Sequence, residues 1–154
     1  MIPYNRQYID KADIKNVKNS LKAKLITTGK YNKKFETIVS RKFSCKFSSI
    51  VNSGTAALHL SFLAINIKKN DIIIMPAINF ISSYNLCKRM GAKIFFADVD
   101  KLTGQMTPQL LLECVKKNNI KKIKAVITMY LGGSANHVNE FYQLKKKFKF
   151  FLIE

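Results

Sequence analysis

The sequence predicts an α/β fold, a mostly parallel sheet with helices on both faces in a three-layer αβα arrangement. Short apolar runs alternate with helical segments of roughly ten to fifteen residues, the pattern of βαβ units. Residues that tolerate positive φ stand where helices return to strands, at Asn70-Asp71 and Gly91. The 154 residues are about one domain's length, and 47% hydrophobic with 23% charged residues is an ordinary globular composition.

Taken in order, Asp10 caps a helix whose apolar residues Ile14, Val17 and Leu21 recur at helical spacing, and Thr27-Thr28-Gly29 breaks it. A second helix presents Phe35, Ile38, Val39 and Phe43 on one face. Five runs then read as parallel strands. Ser49–Asn52 leads into a helix over 55–66, and Ile72–Met75 into one over 80–90. Lys93–Ala97 leads through an Asp100–Gly104 turn into Pro108–Lys117, which Thr107 caps with proline at the first helical position. Ala125–Met129 leads into a helix over 136–147, and Phe148–Ile153 is the fifth run. Residues 1–46 form an N-terminal helical segment and 47–154 the βα repeats. In open α/β sheets ligands sit beyond the carboxyl ends of the strands. A chain stopping at Glu154, at such an end, reads as cut.

Composition excludes a disordered or collagen-like chain. The apolar runs are too short to span a bilayer, and the N-terminus has no apolar signal core, so the chain reads as soluble and cytoplasmic, with no membrane partner. Cys45, Cys87 and Cys114 are odd in number and widely spaced, which fits reduced thiols and neither a disulfide framework nor a zinc site. Lys plus Arg is 27 against 9 Asp plus Glu, a formal +18. Such an excess favours polyanion partners. The lysines are spread along the sequence, however, and their densest runs read as solvated faces and helix C-termini.

Two segments carry chemistry. Ser53-Gly54-Thr55 joins a strand to a helix, and a helix N-terminus attracts anions through its free N–H groups and its dipole. Gly54 lets the backbone approach and Thr55 adds a hydroxyl; a simple Ser/Thr cap is the alternative. No Walker A or dinucleotide motif is present. Phe80, in Pro76–Ser83 on the same rim, offers a ring to stack on a planar heterocycle, with ordinary core packing as the alternative. His59, one turn beyond Thr55, reads as structural and His137 as solvated. Together the segments offer an anion cradle beside a stacking face.

The order YNRQYID, LITTGK, FE, VNSGTAALHL, DIIIMPAINFISS, GAKIFFADVD with TG, and a terminal IE resembles the DegT/DnrJ/StrS family of sugar aminotransferases. These are pyridoxal-phosphate enzymes of fold type I, so the resemblance implies the truncated large domain of such an enzyme. It further implies that Gly54, Thr55 and Ala56 hold the cofactor phosphate, that Phe80 stacks on the pyridine ring, and that Thr27 and Thr28 lie near the sugar. Within the family the chain looks most like enzymes that aminate UDP-linked 4-keto-6-deoxy sugars (an N-acetylhexosamine, with glutamate as donor) for nonulosonate or O-antigen synthesis. A homodimer is implied for the full-length protein. In the family an Asp that pairs with the pyridine nitrogen follows directly after the residue matching Glu154, and the Schiff-base lysine comes tens of residues later. Both lie beyond Glu154, so these 154 residues alone would not transaminate. Two departures stand out: Met129 precedes Tyr130-Leu131-Gly132 where many members carry His, and Asn70 replaces the usual Gly. Two other functions remain as alternatives, a non-catalytic truncated remnant and a basic nucleic-acid-binding module.

Overall fold

A computed structural model describes residues 6–154; Tyr4 and Asn5 of the YNRQYID segment lie outside them. The chain divides into two compact units, Met1–Val51 and Asn52–Glu154.

In the first unit, α1 (Lys11–Leu21) starts at Asp10 through a reciprocal cap. The Asp13 N–H donates to Asp10 Oδ1 at 2.9 Å and the Asp10 N–H to Asp13 Oδ2 at 3.0 Å. Helix α2 (Lys30–Lys42) starts at Gly29, where a Cβ would stand 2.6 Å from the Leu25 carbonyl oxygen. Both helices are amphipathic as predicted, yet neither has a buried residue. Glu36 anchors the segment beyond α2: its side chain accepts the Ile50 N–H at 3.1 Å and its carbonyl the Ser48 hydroxyl at 2.6 Å.

The second unit runs α3 (Gly54–Ala64), β1 (Ile72–Pro76), α4 (Ile81–Arg89), β2 (Lys93–Ala97), α5 (Pro108–Lys117), β3 (Ala125–Ile127), a 3₁₀ turn at Leu131–Gly133, α6 (Val138–Phe148) and β4 (Phe151–Ile153). The strands form one parallel sheet in the order β2-β1-β3-β4. Ile73 lies opposite Ile94 on one side and Ala125 on the other, while Val126 pairs with Leu152. Side chains alternate across the sheet. Ile74, Ala97 and Val126 pack with Leu111, Cys114 and Phe141 of α5 and α6. Ile73, Met75, Ala125 and Ile127 pack with Phe62 of α3 and Cys87 of α4. Both faces are thus covered, which is why β1 is an unbroken apolar run. The predicted three-layer α/β architecture is the one observed.

Four strands form where five were expected. Ser49–Asn52 takes no regular structure: it holds only two apolar residues, and the Ile50 N–H is taken by Glu36 rather than by a ladder. The fourth and last runs, expected over Ala125–Met129 and Phe148–Ile153, form the shorter strands Ala125–Ile127 and Phe151–Ile153. Phe148 closes α6, and Lys149 turns the chain through a left-handed conformation (φ +55°) before β4 begins. The turn chemistry matches expectation: Asn70 (φ +69°) and Gly91 (φ +74°) both have positive φ, and the Asn70 N–H donates to the Gly91 carbonyl at 2.8 Å. In the loop after β2, Asp100 Oδ1 accepts the Leu102 and Thr103 N–H groups. The buried Gln105 amide then donates to the Leu131 and Ser134 carbonyls, both at 3.0 Å, tying that loop to the one after β3.

Phe141, 1% exposed, fills the α5–α6 layer. Phe141→Ala is expected to lower the unfolding free energy by roughly 3–5 kcal/mol, through lost transfer energy and a residual cavity. Urea denaturation checks this: the midpoint should fall with little change in slope.

Candidate active site

The sheet order places a topological switch between β1 and β3. From β1 the chain crosses to β2 on one side, and from β3 to β4 on the other. Such switches open a crevice beyond the strands' carboxyl ends. A cleft of about 640 Å³ lies there, with the start of α3, the β1–α4 loop and the ends of β3 and β4 as its walls.

The α3 wall arises from local chemistry. Ser53, extended at φ −158°, caps the helix by accepting the Ala56 N–H on its Oγ at 3.2 Å. The Gly54 and Thr55 N–H groups, the next orphan donors of the first turn, have no partner among the described residues and open on the cleft. A Cβ at Gly54 would meet nothing within 4 Å, so this backbone is open to an approaching ligand.

The opposite wall is the β1–α4 loop. Asn79 accepts the Phe80 N–H on Oδ1 at 2.7 Å, while its Nδ2 is buried with no hydrogen-bond partner. A buried amide without an acceptor is costly, so this group fits an oxygen that a ligand supplies. Phe80 is 67% exposed and lines the cleft, leaving its ring uncovered by the core. Ser82 and Ser83, in the first turn of α4, are buried and line the same space.

The floor is made by Ile127, Thr128 and Met129 with Ile153 and Glu154. The Glu154 carboxylate accepts two phenols, Tyr130 at 2.7 Å and Tyr142 at 2.9 Å. Burial and then the bond to Glu154 push the Tyr130 hydroxyl up to about 12. The same bond to Glu154 is the main reason the Tyr142 hydroxyl is raised.

Of the residues expected from sequence, Gly54, Thr55 and Phe80 come together around this cleft. Ala56 does not line it, and its N–H is engaged by Ser53. Thr27 and Thr28 belong to the other unit, in an exposed turn where Asn32 Nδ2 donates to the Thr27 carbonyl at 3.2 Å. His59 is exposed and off the cleft, and His137 stands at the start of α6, 3.4 Å from Glu140. Met129, where many family members carry His, does line it. Sequence reasoning did not single out Asn79, Thr128 or the tyrosine pair. For Asn79 the signal was an Asn beside a helix start. For Tyr130 and Tyr142 there was none, since they reach Glu154 across 24 and 12 residues.

Among the described residues no three His, Cys, Asp or Glu side chains gather as a metal site, and no helix is long and apolar enough to cross a membrane. Burial pushes the Cys87 thiol up to about 11, so that thiol is neutral and unreactive near neutral pH.

The profile of the DegT/DnrJ/EryC1/StrS aminotransferase family matches residues 7–154. The chain belongs to this family. It is 32% identical over 154 residues to the UDP-4-amino-4,6-dideoxy-N-acetyl-beta-L-altrosamine transaminase of Campylobacter jejuni, covering 100% of this chain and 40% of that one. Among solved structures it is similar to GDP-4-keto-6-deoxymannose-3-dehydratase with a trapped PLP-glutamate geminal diamine (TM-score 0.86, 28% identity, 97% of this chain and 39% of that one). It is also similar to a protein from Streptococcus pneumoniae solved in its PMP form (TM-score 0.81, 28% identity, 97% and 37%). The chain thus spans about 40% of the length of the family members it matches.

Two measurements probe this site. Tyr130 is neutral when folded up to about 12 and ionises near its ordinary value of 10 when unfolded, so its contribution is complete below 10 and is lost as pH rises from there to about 12. Absorbance titration of tyrosinate should show a phenol ionising near 12 that Tyr130→Phe removes. Ser53→Ala is expected to cost about 1 kcal/mol of stability through the lost cap, read by thermal melting.

Proposed function

We propose that this chain forms the part of a pyridoxal-phosphate-dependent aminotransferase that holds the cofactor's phosphate and ring, and that the amino acceptor is a nucleotide-linked 4-keto-6-deoxy sugar. The observation that carries this reading is the cleft at the β1–β3 switch. It joins two free helix N–H groups, an uncovered aromatic ring and a buried amide lacking an acceptor.

When bound, pyridoxal phosphate supplies an electron sink for the carbanion that transamination creates. The Gly54 and Thr55 N–H groups, with the Thr55 hydroxyl, would hold its phosphate, and the helix dipole favours the negative charge there. Ala56 belonged to the expected cradle, but Ser53 already takes its N–H, so its part is to complete the helix turn that aims the other two. Phe80 would cover one face of the ring, fixing its plane and excluding water. Asn79 Nδ2 would donate to an oxygen of the bound group. Thr27 and Thr28 would contact the sugar. The Schiff-base lysine and the pyridine-pairing carboxylate are assigned to positions after Glu154. The clamp of Tyr130 and Tyr142 on Glu154 fixes the strand end from which that carboxylate would project.

The Campylobacter relative is named for a UDP-linked amino-dideoxy sugar, which supports a UDP-4-keto-6-deoxy-N-acetylhexosamine as substrate. Glutamate as donor, in keeping with the PLP-glutamate geminal diamine trapped in the dehydratase, and a place in nonulosonate or O-antigen synthesis complete the proposal. A soluble cytoplasmic homodimer is the assembly proposed for the full-length enzyme. The exposed apolar faces of α1 and α2 agree with a chain that packs against further protein.

Sequencing the source DNA in frame past codon 154 tests this directly. An Asp codon next and a lysine tens of codons later are expected, and a stop codon there would sink the enzymatic reading in favour of a remnant. On the chain itself, Gly54→Leu points a side chain into the open approach and should weaken pyridoxal-phosphate binding more than tenfold, about 1.4 kcal/mol or more. Equilibrium dialysis measures the loss, and unchanged far-UV circular dichroism shows that the fold survives.

A further inference from the structure

The lysines that look dispersed in sequence converge in space. All four strands run the same way, so every helix C-terminus and every strand start lies on the edge of the sheet opposite the cleft. Lys88 and Arg89 close α4, Lys116 and Lys117 close α5, and Lys145 to Lys147 close α6. Lys68 and Lys69 precede β1, and Lys93 opens β2. Lys121, Lys122 and Lys124 precede β3, and Lys149 precedes β4. This edge therefore carries fourteen of the fifteen Lys and Arg residues of Asn52–Glu154, and Lys101 alone lies on the other. Twelve of the fourteen are exposed.

The carboxylates are placed the other way. Of the six acids of Asn52–Glu154, Asp71 lies on the basic edge and Glu113 part-way along α5, whereas Asp98, Asp100, Glu140 and Glu154 lie toward the cleft edge. The ion pair found among the described residues, His137 with Glu140, involves none of the fourteen cations. Helix dipoles account for the seven cations in last turns but not for the seven in loops and strand starts. A lysine-rich composition without selection of place would populate both edges.

We propose that this edge is a docking surface for an anionic phospholipid bilayer, reached by peripheral contact. The cations spread over the ends of four strands and three helices, a plane rather than a groove that could track a strand of nucleic acid. Thirteen of the fourteen are lysine, a point charge suited to lipid phosphates, rather than the arginine of bidentate base and backbone recognition. Phe151, 46% exposed at the start of β4 with the Lys124 ammonium 5.3 Å from its ring centroid, gives the plane an aromatic contact for the headgroup layer. Beside it a depression of about 380 Å³, lined by Lys122, Lys124, Lys149 and Asp71 among others, has room for one headgroup. Docked this way, the cleft on the opposite edge stays open to water and to soluble substrate.

Vesicle sedimentation tests the surface. With vesicles about one-third phosphatidylglycerol in phosphatidylcholine, at roughly 0.1 M salt, the chain should sediment, and it should remain free with phosphatidylcholine alone. Raising the salt to about 0.5 M should release it. Combined Lys121→Glu, Lys122→Glu and Lys149→Glu should weaken binding at least about tenfold. On the cleft edge of the same unit, Lys101→Glu should weaken it less than about threefold, and less than Lys122→Glu alone does. Lys→Gln at the first three positions should give an intermediate loss, and circular dichroism verifies the fold of each variant. Failure to sediment with the anionic vesicles overturns the proposal, as does equal loss from Lys101→Glu and Lys122→Glu, which would reduce the effect to net charge. Tighter binding to a single-stranded RNA than to the vesicles, at the same salt, overturns it in favour of nucleic acid. None of these outcomes touches the cofactor cleft, so the proposed function stands or falls separately.

Discussion

The parallel alignment of the strands is the constraint on which the rest of the second unit depends. A parallel pair cannot be closed by a hairpin, so each strand needs a crossover, and a right-handed crossover puts a helix on one face running back. Helix N-termini and strand C-termini therefore share one edge, and helix C-termini and strand starts the other. Where successive crossovers diverge, between β1 and β3, the loops separate and leave a cleft that no backbone fills. The first edge gathers free N–H groups, and the second gathers the cations that helix ends favour.

Within that frame β1 is the central element. It pairs on both sides, is covered on both faces, and is buried from Ile73 through Pro76. Pro76 ends the strand and Ala77 makes the last ladder bond, its N–H donating to the Ala97 carbonyl at 2.9 Å. The chain must then leave the sheet before α4 begins. The exit residues Ile78 and Phe80 are exposed, whereas the Asn79 side chain turns inward and leaves its amide without an acceptor. A buried polar group left unsatisfied beside otherwise well-paired structure marks a site shaped for something the protein itself does not supply.

What the sequence disclosed, and what it hid, divides along the range of the interactions. The α5 segment was legible to the residue, because Thr107 and Pro108 define a start by local chemistry alone. Strand β2 was equally clear, and so were the positive-φ residues Asn70 and Gly91. Ser49–Asn52 misled because a short β-branched run carries no information about whether a partner strand exists, and here Glu36 claims its backbone instead. The amphipathic faces of α1 and α2 were read correctly as patterns, but a pattern does not say what covers it. In the site, the glycine, the threonine and the aromatic could be found from motif and position. The tyrosine clamp on Glu154, the Gln105 tie between loops and the buried Asn79 amide are products of the tertiary fold, with no periodicity to reveal them.

The charge separation bears on how the cleft can hold an anion. Among the described residues no lysine or arginine lines it, and Glu154 stands in its floor. What the described residues offer an anion there is the α3 dipole, two backbone donors and hydroxyls, all short-ranged and fixed in direction. Such donors select for geometry, since they reward an oxygen only at hydrogen-bonding distance, and salt screens them little. The opposite edge works in the reverse manner, with mobile ammonium groups that attract negative charge at range and without regard to shape. A single charge-rich cleft would collect every phosphate in its surroundings. With fourteen cations of this unit on the far edge, the described walls of the cleft favour a ligand by fit, and the parallel topology supplies that separation.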